Sequence, residues 1–110
     1  MVDPSILKSV RDYLQNLRGQ GLPVSFGVVF GSQTTGAVDE WSDIDLVVVS
    51  SRFDNPNGRD DVNLLWRVAA RTCNRIEPVP CGERQWREDM ATPIIELARR
   101  QGARVTLDGQ

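Results

Sequence analysis

The chain contains no histidine, only two cysteines, and no apolar run approaching the ~20 residues that span a bilayer. Without histidine, the Ser-His-Asp and Cys-His arrangements are excluded, together with the commonest general base. Cys73 and Cys81 are too few for a four-ligand zinc site. They could form one disulfide, although nothing in the sequence points to an oxidising compartment. Lysine is nearly absent: Lys8 stands alone beside twelve arginines. Arginine offers planar, bidentate recognition of phosphate or carboxylate, but an arginine-rich composition also follows from genome base composition alone. The N-terminal MVDPSILKSVRDYL carries charges where a signal peptide needs its apolar stretch. A soluble, cytoplasmic protein without membrane association is expected.

What is present fits one small domain over residues 1–110. Hydrophobic residues at 40% and charged residues at 25% give a globular balance rather than a disordered one. That length supplies one core and no separate lid or substrate domain. The net charge of -2 argues against a dedicated nucleic-acid surface, which needs a basic excess. An enzyme of this composition would work with carboxylates, a bound cation, or both.

Periodicity orders the chain. Ile6, Leu7, Val10, Tyr13, Leu14 and Leu17 fall at helical spacing, with Asp3 or Ser5 as a cap and Gly19 or Gly21 as a stop. Val24–Phe30 is a nearly continuous apolar run, suited to a strand covered on both faces. A polar stretch separates it from a second apolar strand over Asp43–Val49. After a turn at Asn55–Gly58, a helical pattern from Asp60 to Thr72 places Val62, Leu65, Trp66 and Ala69 on one face. Trp66 is therefore expected in the core. Arg75–Val79 reads as a short strand, and Pro78 puts it at a sheet edge or near a strand end. Glu83–Met90 is an ambiguous, partly helical connection. Thr92 and Pro93 open a helix that Gly102 stops, and Val105 and Leu107 add a last short strand. The order predicts an α/β (α+β) fold, a small mixed β-sheet of about four strands with helices packed on it.

Chemistry concentrates between the first two strands. Side chains alternate along a strand, so Asp43 and Asp45 share a face while Ile44 and Leu46 take the other. Two carboxylates about 7 Å apart by Cα repel each other. A hard divalent cation turns that repulsion into binding, because Mg²⁺ prefers carboxylate oxygens and substrate phosphates. A bare Asp-x-Asp also marks a solvated strand start. Gly31-Ser32, ending the preceding strand, permits a sharp turn with exposed N–H groups and a hydroxyl, suited to an anion. A phosphate held by Ser32 and metal ions held by Asp43 and Asp45 would be complementary halves of one nucleotide site; the plainer alternative is that Gly31 makes a turn and Ser32 caps a helix. Trp41 and Phe53 could stack on a base, though such residues more often anchor loops. Trp86 is open between core and a partner-facing role.

Phe30-Gly31-Ser32, ten intervening residues and Asp43-Ile44-Asp45-Leu46 resemble the signature of the DNA polymerase β-like nucleotidyltransferase superfamily, and specifically its minimal nucleotidyltransferase domains. The resemblance implies a third carboxylate on a neighbouring strand, and the matching position is Glu77, which otherwise would read as a surface partner of Arg75. Gln33-Thr34-Thr35 depart from the aromatic and basic residues that many relatives carry after Gly-Ser. By resemblance, Asp43, Asp45 and Glu77 would be catalytic and would hold two Mg²⁺ ions, with Gly31 and Ser32 binding a nucleoside triphosphate, ATP above all. The implied reaction is transfer of a nucleoside monophosphate, AMP from ATP, to an acceptor hydroxyl. The resemblance further implies a separately encoded helical partner of the HEPN type, with this chain as the antitoxin of a toxin–antitoxin pair. The alternative is a catalytically inactive module of the same fold that inhibits a partner by binding. Oligomeric state, a homo-oligomer included, is left open.

Overall fold

The computed structural model describes residues 4–31, 43–54 and 59–107. The first helix, α1 (Pro4–Gly19), buries the stripe Ile6, Val10, Tyr13, Leu14 and Leu17. Its end is closed by two reversed hydrogen bonds: the Leu22 N–H donates to the Leu17 carbonyl and the Gly21 N–H to that of Arg18. That closure requires a left-handed residue, supplied by Gly21 at φ 99°. Of the two expected stops, Gly21 is thus the working one, and Asp3 as a cap lies outside the described residues.

Strand β1 (Val24–Phe30) pairs antiparallel with β2 (Ile44–Ser50), and a 3-10 turn (Ser51–Asp54) follows. Next come α2 (Arg59–Thr72), β3 (Ile76–Cys81), α3 (Glu83–Glu88), α4 (Pro93–Gln101) and β4 (Ala103–Val105). The sheet order is β3-β2-β1-β4, with β2 and β3 parallel and β4 antiparallel to β1. This is the mixed, four-stranded α+β sheet that the pattern predicts. No helix among the described residues is long and apolar enough to cross a membrane.

Both sheet faces are covered, which explains the continuous apolar runs in β1 and β2. One face carries Val29, Leu46, Val48 and Ile76 against α1 and α2. The other carries Val28, Phe30, Val47, Val49 and Cys81 against Ile95 and Ala98 of α4. Gly27 sits where α1 comes closest, since a Cβ there would lie 2.9 Å from Leu14 Cδ1. The buried Tyr13 hydroxyl donates to the Leu65 carbonyl over 2.8 Å, tying α1 to α2. Burial pushes its ionisation well above the usual phenol range.

The edge position of β3 has a main-chain reason. The Arg75 carbonyl accepts the Ile44 N–H, so alternation turns the odd-numbered residues of β3 toward β2. Pro78 and Pro80 therefore occupy outward-facing positions, where no N–H is called for. An edge without those donors resists pairing with another strand.

Trp66 departs from expectation. It is 51% exposed, whereas Leu65, Val68 and Ala69 are buried. One residue is a 100° rotation on a helix, and the stripe running through 65, 68 and 69 leaves position 66 on the outer flank. Phe53 packs partly buried against the main core, the loop-anchoring role, and Trp41 lies outside the described residues. Trp86 is half-buried beside Phe26, with ring centroids 5.6 Å apart and planes at 75°.

Candidate active site

Strand register builds the site. Asp45 lies directly beside Glu77 in the parallel β2–β3 pair and directly opposite Phe30 in the antiparallel β1–β2 pair. Asp43 immediately precedes β2, exposed at the same end. Three acids drawn from two chain segments, with the bend after β1, thus meet at one end of the sheet. Behind Asp45 on its face, Val47 and Val49 are fully buried.

The carboxyl groups do more than lie near one another. Glu77 interacts electrostatically with both Asp43 and Asp45. Its pKa is raised first by the Asp43 charge, then by a slight loss of hydration, and further by Asp45. Asp45 is also raised, chiefly by burial and then by the Asp43 charge, while Glu77 pulls the other way. The cluster therefore gathers negative charge at one end of the sheet.

Gly31 is fitted to this cluster twice over. It adopts φ 76°, the left-handed region that side-chain-bearing residues avoid. A Cβ at that position would stand 2.6 Å from Asp45 Oδ2, so only a glycine lets the bend approach the carboxylate. The sequence supplied the glycine and the acid, but their contact was not foreseeable without the register. Ser32, the other expected phosphate-binding residue, and Gln33–Thr35 lie outside the described residues.

The donor set suits a hard divalent cation, since all three groups offer carboxylate oxygens and their repulsion is what such an ion relieves. Among the described residues, no group of three or more cysteine, aspartate or glutamate side chains is placed to hold a metal ion.

A family profile described as nucleotidyltransferase domain matches residues 7–85, a span that includes Gly31, Asp43, Asp45 and Glu77. The chain belongs to the nucleotidyltransferase domain family. It is a member of the DNA polymerase β-like nucleotidyltransferase superfamily, as the spacing of its glycine and paired aspartates suggested. A crystal structure of a candidate nucleotidyltransferase from Sulfolobus solfataricus shares the fold, with a TM-score of 0.58 and 19% identity. The likeness covers 72% of this chain and 68% of that one. No curated protein matches the sequence. Membership makes this a transferase domain whose class of chemistry is nucleotidyl transfer.

Proposed function

We propose that this nucleotidyltransferase moves AMP from ATP onto a hydroxyl of an acceptor, with Asp43, Asp45 and Glu77 as its catalytic carboxylates. The observation that carries the reading is the strand register that sets Asp45 abreast of Glu77 and against the Gly31 bend, with Asp43 one residue before β2. Asp43, Asp45 and Glu77 would hold Mg²⁺, two ions by analogy with the superfamily. Bound Mg²⁺ would offset the charge that builds on the transferring phosphoryl group and on the departing pyrophosphate.

The chain's own residues do the rest. The Gly31 turn, with Ser32, holds the triphosphate through N–H groups and a hydroxyl. The acceptor oxygen attacks the α-phosphorus in line, a bond forms there, and the bond to the β-phosphate oxygen breaks. Pyrophosphate leaves, and the acceptor proton departs by way of the Glu77 carboxylate, the general base in this proposal. The acceptor we favour is a separately encoded HEPN-type helical protein, neutralised by adenylylation within a toxin–antitoxin pair.

The test uses α-labelled ATP, Mg²⁺ and the product of a neighbouring gene co-expressed with the chain. Transfer of one AMP, read as label and as a mass increase on the partner, is expected. Asp43→Asn combined with Asp45→Asn should abolish it while the melting curve stays cooperative. Undiminished transfer by that variant refutes the roles of the aspartates. Failure of the intact protein to bind ATP with Mg²⁺ in calorimetry would leave a binding module of the same fold, acting on its partner without chemistry.

A further inference from the structure

At the end of the sheet away from the carboxylates, arginines gather on a second surface. Phe26 pairs with Val49, and Phe30 with Asp45. Four residues along β1 therefore separate the two places by about 13 Å. Ile95 and Ala98 of α4 cover Val28 and Val47 in between, so the two places do not run together. A groove of about 510 Å³ opens here, lined by Phe26, Glu83, Trp86, Arg87, Arg99 and Arg104 among others. Among the described residues, three guanidiniums against one carboxylate give it a charge of +2, in a chain whose net charge is -2.

Two of the three guanidiniums, Arg99 and Arg104, are held in place, and none of the three is neutralised by an ion pair among the described residues. Arg104 lies over the Phe26 ring at 4.0 Å from its centroid, and Arg99 over Trp86 at 5.6 Å. Arg99 also donates from Nε to the Trp86 carbonyl at 2.9 Å and from Nη2 to the Asp89 carbonyl at 2.8 Å. No carboxylate of the described residues forms an ion pair with Arg87, Arg99 or Arg104. Glu83, the one acid in the groove, is engaged by the Ser25 hydroxyl. Arg99 spends its donors on the Trp86 and Asp89 carbonyls and on Met90 Sδ, and brings only its charge to the groove. Arg104, stacked on the Phe26 ring, makes no hydrogen bond among the described residues and keeps its in-plane donors for a ligand. Little side-chain freedom remains to be lost on binding an anion.

We infer that this groove is a second ligand site, built for a phosphomonoester with an organic body of nucleotide size. The charge of +2 matches a phosphate monoester, which carries about -1.5 to -2 near neutrality. Its volume lies in the ~300–1,000 Å³ range of small-molecule sites, far more than a bare phosphate fills. The apolar walls at Phe26 and Trp86 accept the organic body. This site owes nothing to the transfer reaction, and a ligand in it would bind without a divalent cation.

Calorimetric titration with AMP in EDTA tests it on the full chain carrying Asp43→Asn and Asp45→Asn, which separates this site from the carboxylate one. AMP should bind that variant as it binds the unmodified protein. Adenosine should bind at least tenfold more weakly. Adding Arg87→Gln and Arg104→Gln should weaken AMP binding at least tenfold with no change in melting temperature, since neither side chain holds the main chain in place. Absence of AMP binding at millimolar concentration overturns the proposal. So does an affinity that survives the arginine changes but is lost with the aspartates. Inorganic phosphate binding as tightly as AMP removes the organic body from it.

Discussion

Replacing Gly31 by alanine separates what the bend does for the fold from what it does for Asp45. At φ 76° an L-residue costs about 1–2 kcal/mol. Alanine recovers about 0.4–1 kcal/mol by reducing the freedom of the unfolded chain. The new Cβ would also stand 2.6 Å from Asp45 Oδ2, where ordinary contact begins near 3.4 Å, so the oxygen must retreat by about 0.8 Å. Asp45 Cγ and Cβ are already at 3.5 and 3.8 Å, so rotation of the carboxylate suffices. Leaving its rotamer costs about 0.5–1.5 kcal/mol. The sum is a loss of about 2 kcal/mol, a fall of roughly 8–16 °C in melting temperature for a domain of this size. In an Asp45→Ala background the oxygen is gone, and Gly31→Ala should then cost only about 1 kcal/mol. Urea denaturation of the four proteins in this cycle measures the difference. Transfer by Gly31→Ala should fall on the order of a hundredfold, as ångström-scale misplacement of a reacting group does. Strictly additive losses would show that the bend and Asp45 do not touch, and a neutral Gly31→Ala would refute the strained conformation as well.

Other perturbations follow from the same geometry. Gly82→Ala places a Cβ 1.9 Å from Asp54 Oδ1 and 2.9 Å from the Asp54 main-chain nitrogen. Chemical denaturation should register a loss of about 1–3 kcal/mol, part of it restored by Asp54→Ala. Leu65→Ala should cost about 2–5 kcal/mol, and Trp66→Gln less than about 0.5 kcal/mol. Equal losses at 65 and 66 would return Trp66 to the core. Asp89 accepts hydrogen bonds from the Ala91 N–H, the Thr92 N–H and hydroxyl, and Gln85 Nε2. The Thr92 hydroxyl leads these in holding its pKa down at about 2. A depressed carboxylate stabilises the fold above its unfolded value of about 4 and loses that contribution as the pH falls to about 2. Thermal melts of Asp89→Ala and the unmodified protein should therefore differ by a constant gap above about pH 4.5 that closes toward pH 2. A gap that does not narrow over that window contradicts the hydrogen-bonded, ionised Asp89.

How far the sequence could be read depended on how local the determining interaction was. The stripe of α1, the paired apolar strands and the Pro93–Gly102 limits of α4 are written in spacing and end residues, and all were legible. The face shared by Asp43 and Asp45 follows from alternation alone. Trp66 was misplaced because hydrophobicity, rather than angle, put it beside Leu65. Thr92 was correctly placed at a helix start, but its hydroxyl donates to Asp89 instead of capping its own helix. That bond depends on where α3 ends. Long-range contacts left no mark in the sequence. Neither Asp54 receiving the Arg84 N–H nor Arg104 lying on Phe26 could be read from residues dozens of positions apart.

Convergence of the three acids is explained by topology rather than by affinity among them, since they repel. Parallel pairing of β2 with β3 sets Asp45 abreast of Glu77 at the same end of both strands. A reversal of β3 would keep the pairing but carry Glu77 to the far end. The parallel arrangement demands a crossover, and α2 provides it, locked over the sheet by Leu65, Val68 and the Tyr13 hydrogen bond. Core packing on the α1–α2 face thus holds together charges that would otherwise separate on the opposite face. The exposure of Asp43 and Glu77 keeps the repulsion in a high dielectric, where it amounts to about 1 kcal/mol per close pair. A domain with this much buried aliphatic surface tolerates that loss. Moving the same trio one pair deeper, to the level of Val47 and Val79, would take the charges out of water and raise the penalty several-fold. The first exposed rung of the β2–β3 ladder is therefore the position at which these strands can carry such a cluster and still fold.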